Sequence, residues 1–120
     1  MSSTTETSPM KKSFTATATL SAYTLVKLLA NGTVTTATQA ASGEVVIGLT
    51  DRQADQGKVT PISLLNGGGS VFATAAATIT IGNAVYPGSG GTVDVTASGS
   101  VVGYALQSAV ASDVIEVLLA

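Results

Sequence analysis

From residue 14 to residue 20 the chain alternates without a break. Phe14, Ala16, Ala18 and Leu20 fall on one face, and Thr15, Thr17 and Thr19 on the other. A period of two with β-branched residues predicts a half-buried strand. Residues 23–30 and 33–38 flank Asn31-Gly32. Asn-Gly between two strand-like runs predicts a two-residue hairpin in which Ala30 faces Thr33 and Leu29 faces Val34. Residues 39–43 read as a small polar loop, 44–50 as a buried strand with Gly48 inside it, and 51–57 as the most charged loop. Residues 58–65 form another strand, which Pro61 assigns to an edge or a bulge. Residues 66–70 (NGGGS) are a loop, and 71–77 (VFATAAA) fit either a strand or a strand running into one helical turn. The rest reads as strand, turn and strand over 78–87, a turn at 88–91, and strands within 92–96, 101–108 and 114–119. No segment holds a 3.6-residue apolar period over three turns. The expected fold is all-β: a small sandwich-like or barrel-like (β-tulip-type) domain of nine or ten short strands.

The strand spacing repeats. An offset of 55 pairs Val46 with Val101, Gly48 with Gly103, Val59 with Val114, Ile62 with Val117 and Leu64 with Leu119. Upstream an offset of 59 pairs Val26 with Val85 and Gly32-Thr33-Val34 with Gly91-Thr92-Val93. Two similar β-units sharing a core are therefore expected. Before them, residues 1–13 are almost devoid of apolar side chains and read as a flexible arm, with a single domain over 14–120.

Composition narrows the chemistry. The 120 residues are enough for one domain, and only 10% of them are charged, against about 25% in an average protein. There is no Cys and no His, which removes thiol nucleophiles, imidazole general bases and the common zinc sites. Five basic residues and a net charge of −2 give no basic face for nucleic acid. No apolar run approaches the length of a spanning helix, and a polar start argues against a signal peptide. The expectation is no enzyme, no cofactor, no metal, no nucleic acid and no membrane.

Individual motifs agree. Asp51, Arg52, Asp55 and Lys58 form the one dense charge cluster. Two carboxylates four apart fall short of a calcium loop, so this is read as a solvated loop or a subunit-contact loop. The Asn66-to-Ser70 run lacks the Lys-Ser/Thr of a phosphate loop. The Thr-x-Thr steps lack the short period of a flat ice-binding face and suit solvent-facing strands. Tyr23, Tyr86 and Tyr104 are read as packing residues rather than a sugar platform.

Taken in order, V-x-L-x-x-N-G-T-V, G-E-V-V-I-G-L-T, G-K-V-T-P-I-S-L-L-N-G-G-G-S-V-F, I-G-N-A-V-Y-P, V-V-G-Y-A-L-Q and V-I-E-V-L-L resemble the small cement or decoration proteins of tailed-phage capsids. More distantly the chain resembles the lambda-type head decoration protein. The resemblance implies a trimeric β-protein on the outer capsid surface, made in the host cytoplasm, whose partner is the major capsid protein. It implies stabilisation of the expanded shell and no catalytic residues. The arm then becomes a candidate capsid contact through Ser8, Pro9, Met10, Lys11 and Lys12. An extended arm can pair with a strand edge, and the two lysines can face an acidic shell. Sparse charge also fits a homotrimer, since a monomer would expose apolar patches. The alternative is an adhesive or receptor-binding β-module of a phage tail or surface structure.

Overall fold

A computed structural model describes residues 10–36, 46–65, 68–97 and 101–119. Ten strands run through them: β1 (Lys11–Thr15), β2 (Leu25–Leu28), β3 (Val34–Thr36), β4 (Val46–Thr50), β5 (Val59–Leu64), β6 (Ser70–Thr74), β7 (Ala84–Pro87), β8 (Val93–Asp94), β9 (Gly103–Ala105) and β10 (Val114–Leu119). The all-β expectation holds, and among the described residues there is no α-helix. The alanines after Phe72 continue as strand and bend rather than a helical turn.

The strands form two antiparallel sheets, ordered β1-β5-β4-β2-β3 and β6-β10-β9-β7-β8. The second order is the first with every strand replaced by its repeat partner. In each sheet the two edges also touch: Ala16 bridges Val34 in parallel, and Ala75 bridges Val93. Each sheet therefore curls into a small barrel. The offsets of 55 and 59 read from the sequence relate the two barrels strand by strand. The repeat also reaches further upstream, because β1 and the segment after it match β6 and its continuation at offset 59.

The inner faces show the same duplication. One core joins Ala16, Leu20, Val26, Val34, Ala54 and Ile62. Their partners Ala75, Ile79, Val85, Val93, Ala109 and Val117 all lie in the other core. That second core also takes in Leu25 and Leu49 from the outer face of the first barrel. Each is fully buried, and such burial stabilises by about 1.5–3 kcal/mol per side chain. The first barrel's wall thus seals the second barrel, and the Tyr23 ring meets Phe72 edge-on at 6.1 Å between centroids.

Three local expectations are corrected. Strand β1 starts at Lys11, not Phe14. Its first residues have exposed side chains, but their backbones pair with β5, Lys11 opposite Ser63 and Ser13 opposite Pro61. The last residues of the expected arm are thus strand, while residues 1–9 and the expected loop over 39–43 lie outside the described residues.

The hairpin register is shifted by one: Leu28, not Leu29, faces Val34. The Leu29 amide donates to the Thr33 carbonyl at 2.8 Å, leaving a three-residue loop that ends on Gly32 at φ 85°. The Asn31 side chain selects this loop. Its Oδ1 accepts from both the Thr33 amide and the Thr33 hydroxyl, a bond that a turn built only for positive φ does not require.

Pro61, expected at an edge or bulge, lies in β5, between β1 and β4. The Leu64 amide points to β1, where it reaches the Met10 carbonyl. Amides alternate in direction along a strand, so position 61 faces β4. There the ladder stops at Thr50 opposite Ile62, and no N–H is required.

Candidate functional site

The pairing of β1 and β4 on either side of β5 brings arm and loop together. Lys11 and Leu49 both lie opposite Ser63, and Asp51 follows two residues after Leu49 on the same face. The Lys11 Nζ reaches Asp51 Oδ2 at 2.6 Å, and Arg52 Nε reaches Oδ1 at 3.1 Å. Partial burial alone raises the Asp51 pKa. The hydrogen bonds and charges of Lys11 and Arg52 outweigh it and hold the carboxyl below its usual range. Asp55 and Lys58 stay outside this cluster, exposed on the loop. Their bonds among the described residues are those of the backbone: the Lys58 amide donates to the Asp55 carbonyl, and the Ala16 amide to the Lys58 carbonyl.

Of the other arm candidates, Met10 and Lys12 are exposed. Ser8 and Pro9 lie outside the described residues. Among the described residues no three acidic, His or Cys side chains gather as a metal site. No described helix is long and apolar enough to cross a membrane. Gly68 and Gly69 lead straight into β6 rather than into a helix. The threonines bond one another in a short chain: Thr17 Oγ1 donates to Thr33 Oγ1, which donates to Asn31.

What composition did not reveal is an apolar sheet face. On β6, β9 and β10, Phe72, Tyr104 and Leu118 stand out from the second barrel, 43%, 44% and 45% exposed. Leu118 lies directly opposite Tyr104; along β10 the same face then carries Glu116, opposite Phe72, whose Oε2 accepts from the Ser70 hydroxyl at 2.7 Å, and after it the exposed Val114. The repeat offsets carry the signal for it. Ser13 becomes Phe72 and Ser63 becomes Leu118, a change from polar to apolar at positions that share one face. The same trend marks the loops. Asp51 and Asp55 correspond to Leu106 and Val110, so the charged end of one barrel is the apolar end of the other.

Where the mouth of the first barrel borders the joint, Val46, Ile47, Leu64 and Leu65 line an open cleft of about 420 Å³; Val46 and Leu65 also pack against the second barrel's core. The described surface thus offers packing faces and a small ion cluster.

No family model matches the chain, and no curated protein matches it. Among solved structures it is similar to the head fiber gp8.5 N base in bacteriophage phi29, with a TM-score of 0.69 over 92% of this chain and 93% of that one. At 17% identity the likeness is one of fold.

Proposed function

We propose that this chain is a structural protein of a phage virion, carried on the outer capsid surface as a decoration or cement protein. The observation that supports it most is the end-to-end fold likeness to the phi29 head fiber base. The sequence resemblance to capsid decoration proteins points the same way. The role is mechanical rather than catalytic. Homotrimers bridge neighbouring copies of the major capsid protein and bury new surface. Preferential binding to the expanded shell stabilises that state by mass action.

The arm is proposed as part of the contact. Because Lys11 is held by Asp51, the exposed Met10 and Lys12 and residues 1–9 are the portion left to reach the shell. The test is co-sedimentation of the full chain, and of a chain lacking residues 1–9, with expanded and unexpanded empty capsids of the parent phage. The proposal expects saturable binding of the full chain to expanded shells and weaker binding of the shortened one. Binding to host cells and not to capsids would favour the adhesive reading instead.

A further inference from the structure

The two barrels are copies, yet the same wall is treated differently in each. In the first barrel Leu25, Leu49 and Ser63 form a registered row across β2, β4 and β5. All three are buried, and the two leucines join the second barrel's core. In the second barrel the corresponding row is Ala84, Tyr104 and Leu118, in the same register across β7, β9 and β10. Here Tyr104 and Leu118 are exposed.

The receiving side is asymmetric too. Val71, Val102 and Leu119 belong to the core that accepts Leu25 and Leu49. Their counterparts in the first barrel are Lys12, Ile47 and Leu64. Lys12 is exposed, Ile47 and Leu64 are only half-buried, and the latter two line the open cleft. The chain therefore carries one used joint between its barrels and, among the described residues, a second wall and a second mouth of the same make that are left partly open.

We propose that these halves meet between copies: the Tyr104–Leu118 wall of one chain docks on the Ile47–Leu64 mouth of a second copy. The contact is heterologous, wall to mouth, and repeats the packing already present inside the chain. Applying the same operation again closes a ring or extends a filament. On the wall Tyr104 and Leu118 occupy the places of Leu49 and Ser63, and on the mouth Lys12 stands at the rim where the used joint has Val71. This proposal does not depend on shell binding and is read on the free protein.

Because the chain has no cysteine, single-cysteine variants report the contact without background. Leu118→Cys and Leu64→Cys are each purified, then oxidised with copper phenanthroline separately and as a mixture. The expected result is an interchain disulfide in the mixture and only background in either variant alone. In sedimentation velocity, the wild-type chain should run as an oligomer. Leu118→Glu should fall to the monomer coefficient while keeping its thermal transition. Should that variant fail to fold, Tyr104→Lys takes its place. A free chain that stays monomeric at every concentration, as expected if the wall instead meets the shell, overturns the proposal. So does an oligomer that survives both folded variants, or a Leu118→Cys chain that cross-links to itself, which marks an isologous contact.

Discussion

Gly48 and Gly103 sit at the same point of the two barrels, each with its α-carbon pressed against a neighbouring carbonyl. A Cβ on Gly48 would lie 2.1 Å from the Ser63 oxygen, and one on Gly103 2.0 Å from the Leu118 oxygen. Ser63 and Leu118 are themselves repeat partners. Neither glycine has a positive φ, so the constraint is close backbone approach rather than left-handed conformation.

Gly48→Ala and Gly103→Ala should therefore each destabilise the chain, by about 1–3 kcal/mol as overpacking does. The upper end is expected, because the obstacle is backbone and cannot turn aside. Urea unfolding measures this. A midpoint unchanged in both variants would contradict the shared geometry.

The repeat also explains the two non-glycine residues held at positive φ. Ser112, at φ 76°, corresponds to Gly57 at φ 82°, and Tyr23, at φ 59°, to Gly82 at φ 91°. Left-handed backbone costs a non-glycine residue about 1–2 kcal/mol. The extra freedom of glycine in the unfolded chain gives back about 0.4–1 kcal/mol. Ser112→Gly should then raise stability by up to about 1 kcal/mol, seen as a higher thermal midpoint. A lower midpoint would contradict it.

Thr60 Oγ1 is buried without a hydrogen-bond partner, and its counterpart is Ile115. The two other buried threonines among the described residues are satisfied: Thr50 donates to the Ser21 carbonyl and accepts from the Thr24 amide, and Thr24 donates to the Ala22 carbonyl. Thr60→Val keeps the shape and removes the unpaired hydroxyl, so it should stabilise by about 1 kcal/mol or more. Thr50→Val should destabilise by a similar amount. If both changes move the denaturation midpoint the same way, the assignment of the buried hydroxyls is wrong.

Asp51 has a folded pKa below its unfolded value of 3.8. A depressed carboxylate contributes stability that is complete above the unfolded value and is lost as pH falls through the folded one. The pair is partly exposed, so its worth is about 0.2–1 kcal/mol. Asp51→Asn should match that loss near pH 7 and converge with wild type at strongly acid pH. A gap that widens on acidification would reverse the sign.

Much of the fold was legible because alternation and turn chemistry are local. The strand around Gly48, the Asn31-Gly32 hairpin and the offsets of 55 and 59 all reappear. Less local features were not. The start of β1 at Lys11 rests on backbone pairing with β5, which side-chain composition does not record. The one-residue hairpin shift rests on the Asn31 side chain capturing Thr33. The further extent of the repeat was present in the pairing of Thr15-Ala16 with Thr74-Ala75, but masked by a single common pattern of Thr and Ala. The wall at Tyr104 and Leu118 was hidden because β10 carries apolar residues on both faces and Glu116 marks the outer one as polar. Only the packing of one barrel on the other decides which face stays open.

A cryo-electron reconstruction of the parent virion decides whether the chain decorates the head. A decoration protein gives density for paired five-stranded barrels on the outer surface of the head, seated over junctions between major capsid proteins. Density for the chain confined to the tail, or a head whose outer surface lacks it, would contradict the decoration role.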